Sequence, residues 1–237
     1  MSLDDLRKQV CAANQALVAA GLVTLSFGNA SGIDRTARVM VIKPSGVPYE
    51  ALRPDVLVAV DLESGASESG ALRPSSDAPT HLALYRRYPD IGGVVHTHSS
   101  WASAWAQAGR AIPCFGTTHA DHFHGPVPVT RALTHAELGP AYEADTGAVI
   151  IETLDALGLA PLEMPAVLVR SHGPFTWGTD VNGAVANAVA LEAVAMMADR
   201  TLTLEPRTSA IDEALLERHF GRKHGPGAYY GQVDQRS

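Results

Sequence analysis

The stretch Ile91-Gly92-Gly93-Val94-Val95-His96-Thr97-His98 decides how the chain folds. Two glycines, a pair of valines and then polar residues predict a buried strand that ends at the rim of a sheet, because β-branched runs suit a covered, pleated surface. Side chains alternate along a strand, so His96 and His98, two residues apart, leave the same face. Two imidazoles so placed can meet one metal ion.

Upstream of this strand, Ser75-Ser76-Asp77-Ala78-Pro79 is a helix start, with capping side chains before a proline in the first turn. The helix it opens should run to about Tyr88, where Pro89 stops it. Val39–Ile42 and Val56–Val60 are short β-branched runs and predict two more strands. At the N-terminus Leu3, Leu6, Val10, Ala13, Leu17 and Ala20 share one helical face, with Ser2 as cap and Gly21 as stop. Downstream, a helix should follow Ser100, another should cover Val149–Leu157, a strand Ala166–Arg170, and a long helix Val181–Leu202. Strands and helices interleave, which predicts an α/β arrangement with helices covering a sheet. Several connections are short enough for hairpins, so the sheet need not be parallel.

With 237 residues, 46% hydrophobic and 18% charged, the chain has enough apolar surface to fold around a core. Glu63–Arg73 is Gly- and Ser-rich but too short for a linker, so one domain over 1–237 is expected. A net charge of −7 argues against a nucleic-acid partner, which requires a basic face. The apolar stretch Val181–Met197 is interrupted by Asn182, Asn187 and Glu192, so no membrane span is expected. Asp4 and Asp5 stand where a secretory signal would be basic, and Cys11 and Cys114 form no framework, so a cytoplasmic protein with reduced thiols is expected.

His172, in Ser171-His172-Gly173-Pro174, follows a second apolar run and also stands at a strand exit. With His96 and His98 it makes a set like that of a catalytic zinc site, where three protein ligands leave room for water or substrate. Three unrelated histidines are the competing reading, and the strand-end pairing weighs against it. The segment Thr118-His119-Ala120-Asp121-His122-Phe123-His124 resembles a polar active-site loop, in which Asp121 is either an acid/base group or a turn former. Gly28-Asn29-Ala30-Ser31-Gly32, Lys43-Pro44-Ser45-Gly46 and Ser75-Ser76 are candidate anion cradles, the last at a helix N-terminus. None matches a nucleotide phosphate loop or a dinucleotide fingerprint.

Taken in order, these segments, with Leu22–Asn29, Gly116–Asp121, Arg222-Lys223-His224-Gly225 and Tyr229-Tyr230-Gly231-Gln232, resemble the class II aldolase family along nearly the whole chain. That family joins sugar-phosphate aldolases, sugar-phosphate epimerases and the adducin head domain. The resemblance implies a three-layer αβα fold with a central mixed, largely antiparallel sheet. It implies Zn2+, replaceable by Mn2+ or Co2+, on His96, His98 and His172 with Asp77 at the metal. It places phosphate and hydroxyl contacts on Gly28, Asn29, Lys43, Ser45, Gly46, Ser75 and Ser76. It makes Asp121 and Tyr230 an acid/base pair, the tyrosine coming from a neighbouring subunit of a homotetramer.

Within the family the likeness is to epimerases that interconvert L-ribulose 5-phosphate and D-xylulose 5-phosphate, in sugar breakdown such as that of arabinose. The C4–H of such a substrate is not acidic, so inversion would proceed by cleaving and re-forming C3–C4. A family aldolase is the alternative, but aldolases carry a glutamate where this chain has Asp77. A metal hydrolase on a (β/α)₈ barrel is disfavoured because His96 arrives too late in the chain. A non-catalytic module like the adducin head would lack the three histidines.

Overall fold

A computed structural model describes residues 1–229. Helix α1 (Leu3–Ala19) starts at Ser2, whose hydroxyl accepts the Asp5 N–H, and Leu6, Val10, Ala13 and Leu17 are its buried face. Strands β1 (Asn29–Asp34), β2 (Val39–Ile42) and β3 (Val58–Asp61) follow, then α2 (Ala78–Arg87), β4 (Gly93–His96) and α3 (Ser100–Ala108). The chain continues through α4 (Thr117–Ala120), α5 (Tyr142–Ala156), β5 (Ala166–Leu168), β6 (Pro174–Gly178), α6 (Val181–Leu204) and α7 (Glu213–His224).

The six strands form one sheet in the order β3-β2-β1-β4-β6-β5. Every ladder between described strands is antiparallel. The expected mixed character is confined to one isolated parallel bridge, Val129 to Leu168. Alternation sorts the side chains into two cores. Met40, Ile42, Val58, Val60, Val94, Phe175 and Trp177 pack under Leu82, Leu84 and Tyr85 of α2 and Ile150 and Leu154 of α5. On the other face Ala30 and Val95 meet α1 and α6, and Val41 and Ala59 meet α1. Helix, sheet and helix therefore make three layers.

Several boundaries differ from the sequence reading, each for a physical reason. Gly28–Gly32, a candidate cradle in the sequence, is from Asn29 onward the central strand β1, where small residues let the sheet lie close to α1 and α6. Strand β6 went unread because Pro174-Phe175-Thr176-Trp177-Gly178 lacks a β-branched run, although all five residues are buried. Helix α5 begins at Tyr142, seven residues before the apolar periodicity becomes visible. Helix α7 buries only Phe220 among its own residues, too little apolar surface to announce itself.

Helix α6 is long and apolar enough to cross a membrane by length and composition alone. It is a core helix here: Leu191, Val194, Ala195 and Ala198 pack with α3 and β5. Two of the polar residues that interrupt its apolar run, Asn187 and Glu192, hold it in place. Asn187 donates to the Trp177 carbonyl at 2.8 Å, and Glu192 accepts the Trp101 and Ala102 N–H groups at the start of α3, at 2.8 and 3.0 Å. Cys11 and Cys114 are both buried and free.

Candidate active site

Strand β4 delivers His96 to the rim of the sheet, and Thr97 and His98 continue beyond its last paired residue. The His96 ring is buried, stacked on Phe175 with centroids 4.2 Å apart. Its Nδ1 lies 2.9 Å from the Pro174 carbonyl, which can only accept, so Nδ1 carries the proton and Nε2 is left as a lone-pair donor. That nitrogen is 3.1 Å from His98 Nε2.

His172 arrives from the β5–β6 connection. Ser171 before it takes φ +62°, a left-handed backbone uncommon outside glycine, and the tight turn is closed by His172 N–H to the Val169 carbonyl. The three rings lie at centroid separations of 4.7, 4.9 and 5.0 Å, and their ligand atoms all fall within 4.8 Å of one another. Tetrahedral ligation at the usual zinc–nitrogen length needs nitrogens about 3.3 Å apart. The His96–His98 pair already has that spacing, so the donor set fits a divalent ion.

Strand β1 brings the second wall. Gly28 sits at φ +79°, and a Cβ there would lie 2.8 Å from the His96 carbonyl, so only glycine lets the two chains approach. Asn29 pairs with His96 in the ladder and is buried. Its amide donates to Asp77 Oδ2 at 2.6 Å and Ser75 Oγ at 3.1 Å, while its own Oδ1 is buried without a partner among the described residues. Asp77 stands at the start of α2, outside the trio of histidines that share one centre. Burial alone would raise its pKa, but His96, His81 and the Asn29 amide together hold it below the usual carboxylate range.

Lys43 supplies the remaining wall. It leaves β2 buried, with Nζ 3.4 and 3.5 Å from the Ser26 and Pro44 carbonyls and over the Tyr49 ring. Burial lowers its pKa, with Asp77 pulling the other way. The loops after β2 and before α2 are tied together by Ser45 N–H to the Arg73 carbonyl and Ser75 N–H to the Lys43 carbonyl, both 2.9 Å.

One cleft of about 400 Å³ gathers all of these residues: Gly28, Asn29, Lys43, Ser45, Gly46, Ser75, Ser76, Asp77, His96, His98 and His172. It is also lined by Ser26, Phe27, Tyr142 and Glu143, which the sequence reading missed. Tyr142 and Glu143 open a helix whose first turn had no apolar signature, and the Tyr142 hydroxyl lies 3.4 Å from His172 Nδ1. Asp121 is not among the lining residues. It caps α4 and is bound by α7: Arg222 Nε and Nη2 donate to its two oxygens at 3.0 and 2.7 Å, and His219 Nδ1 lies 3.1 Å from Oδ1. Burial would raise its pKa, but the Arg222 and His219 hydrogen bonds hold it low. Tyr230 lies outside the described residues. His122 and His124 do not join the metal-ligating group; His124 pairs with Glu217 of α7 at 2.6 Å.

Comparison with known proteins agrees with this architecture. L-ribulose-5-phosphate 4-epimerase UlaF of Salmonella paratyphi C is 54% identical over 230 residues, 97% of this chain and 100% of that protein. Among solved structures, an L-fuculose 1-phosphate aldolase superposes with a TM-score of 0.77 at 20% identity, covering 92% of this chain and 95% of its own. The L-fuculose-1-phosphate aldolase of Thermus thermophilus does so with a TM-score of 0.67 at 24% identity, covering 86% and 99%. At those identities the likeness is one of fold. The model of the class II aldolase and adducin N-terminal domain matches residues 8–198, and the chain belongs to that family.

Proposed function

We propose that this chain is a metal-dependent epimerase interconverting L-ribulose 5-phosphate and D-xylulose 5-phosphate by cleaving and re-forming the C3–C4 bond. The observation that carries the reading is one cleft in which three converging histidines share walls with a buried lysine and a Ser/Asn/Gly cradle. A phosphorylated hydroxyketone needs both features. The 54% identity to a protein named for this activity, over its whole length, supports the same substrate.

His96, His98 and His172 would hold the ion, with Asp77 beside them; Zn2+ is the first candidate and Mn2+ or Co2+ the alternatives. Such an ion supplies Lewis-acid stabilisation of the negative charge that develops on substrate oxygens during C–C cleavage. Lys43 binds the phosphate: its ammonium is out of water, lies over the Tyr49 ring and makes long contacts to two carbonyls, so an anion entering the cleft is a better partner. Ser45, Gly46, Ser75 and Ser76 complete the cradle, with Ser76 close to the N-terminus of α2. The unpartnered Asn29 Oδ1 is an acceptor for a substrate hydroxyl. A tight grip on the phosphate keeps the aldehyde fragment from leaving before it turns over.

Asp121 and Tyr230 are the proton-transfer pair of this proposal. Asp121 does not line the cleft of its own chain, so its part in the reaction requires a neighbouring copy. A cytoplasmic homotetramer with sites at subunit boundaries meets that requirement. The test is a coupled assay that follows D-xylulose 5-phosphate formed from L-ribulose 5-phosphate while free aldehyde is measured. Epimer without aldehyde is expected. Aldehyde release without the epimer would make the chain an aldolase, and a protein active after complete removal of metal would overturn the site.

A further inference from the structure

The contacts between α4 and α7 go beyond what holding a helix requires. Helix α7 buries little apolar surface, yet four of its polar groups converge on one residue. Arg222 spans both carboxylate oxygens of Asp121, His219 Nδ1 meets Oδ1, and His224 Nε2 lies 3.0 Å from the Asp121 carbonyl. Lys223 adds its charge to the same field. Phe220, at 8% exposure, is flanked by the His124 and His224 rings and fixes the register of the helix against this corner.

We propose that Arg222 is the positioning residue for Asp121: its planar fork sets the orientation of the carboxylate and keeps it in the proton-accepting form. The proposal rests on Asp121 being a proton-transfer group. A carboxylate that takes a proton from a substrate hydroxyl must have a defined plane and a defined charge, and a two-point guanidinium contact supplies both. A lysine would supply the charge without the plane. Among the described residues, the groups that face Asp121 are His219, Arg222, Lys223 and His224 from α7 and His122 just beyond α4. From α6, the cavity against α4 is lined by Val194, Met197, Ala198 and Thr201, none of which titrates near neutrality. Arg222 is the member of this set that spans both carboxylate oxygens, and its charge does not vary across the pH range of the assay.

The experiment uses the full, metal-loaded protein as wild type, Arg222→Met and Arg222→Lys. Two quantities are read: the titration of the Asp121 carboxyl by ¹³C NMR, assigned with Asp121→Asn, and the pH profile of kcat. In Arg222→Met the Asp121 titration should rise by about one to three pH units, and the acid limb of kcat should move up with it. KM for substrate should stay within about two-fold, because Arg222 acts on Asp121 rather than on the substrate. Arg222→Lys should keep the low titration while lowering kcat, since charge is restored without the fork. An unmoved Asp121 titration in Arg222→Met with α7 still protected from hydrogen exchange would overturn the proposal. Should that variant undock α7, Arg222→Lys decides: kcat equal to wild type would show that the fork has no role. Asp121→Asn with wild-type epimerisation would instead refute the proton-transfer reading of Asp121, whatever Arg222 does to its titration.

Discussion

At His96 a backbone carbonyl takes the part that a side chain takes in many metal sites. Pro174 accepts from Nδ1, so the ring presents Nε2 to the centre, and Phe175 stacked behind it prevents rotation. His98 is exposed and reaches the same centre from beyond the strand. His98→Ala should therefore remove the metal and nearly all activity while leaving the fold intact. Metal analysis with circular dichroism checks this, and one ion per chain with normal turnover would contradict it. Lys43 gives the opposite separation of effects. Burying an ammonium beside carbonyls disfavours folding, so Lys43→Met should leave thermal stability equal or higher. Losing a charged contact to phosphate costs about 1.5–3 kcal/mol, so KM should rise about ten-fold or more. A KM within error of wild type would remove Lys43 from the phosphate subsite.

At the scale of elements, the site exists because two antiparallel strands meet at their rims. Asn29 opens β1 and His96 closes β4, and the ladder sets them side by side. The chain enters β1 through Gly28, against the His96 carbonyl. Gly28→Ala should act at a distance of one strand. A Cβ 2.8 Å from that carbonyl must push it away, and the positive φ adds about 1 kcal/mol of strain. The expected result is weaker metal binding together with a lower melting temperature, read by metal titration and calorimetry. Metal affinity equal to wild type would show that β1 and β4 are not so closely coupled. Helix α2 contributes in the same local way, placing Ser75, Ser76 and Asp77 at its beginning.

For the whole molecule, burial of neutral histidines couples stability to pH. Burial pushes both His81 and His119 down to about 4, from 6.5 in an unfolded chain. The unfolded state therefore binds more protons between those values, and stability falls as pH drops from 6.5 towards 4. Each group contributes a slope of about 1.4 kcal/mol per pH unit. His119 Nε2 donates to the Gly125 carbonyl at 2.8 Å, a bond a glutamine amide can reproduce. His119→Gln should flatten the slope by one group's share in urea unfolding of the metal-free protein, and an unchanged slope would refute the assignment. Assembly offers a second whole-molecule test. Asp121 stands apart from the cleft of its own chain, so inactive His98→Ala and inactive Asp121→Asn chains should complement each other after dissociation and remixing. Verified mixed assemblies without activity would mean that the site is not shared.

Local pattern was enough for part of this protein. The periodic face of α1, the cap and proline that start α2 and the His-x-His spacing each depend on neighbours within a few residues, so they could be read from the chain alone. So could eleven residues of the cleft, because ordered motifs carried the family resemblance across the chain. Strand β6 could not: Pro174, Phe175 and Trp177 become a strand only because β4 and β5 flank them on either side. Tyr142 and Glu143 joined the cleft through the packing of α5 on α2, a contact between segments more than fifty residues apart. Helix α7 was silent because ion pairs rather than an apolar stripe hold it. Asp121 was read as a group at the chemistry, yet the folded chain sets it against Arg222, away from the histidines of its own cleft. Distances between segments remote in sequence are set by the packing of whole layers, and no pattern confined to one segment encodes them.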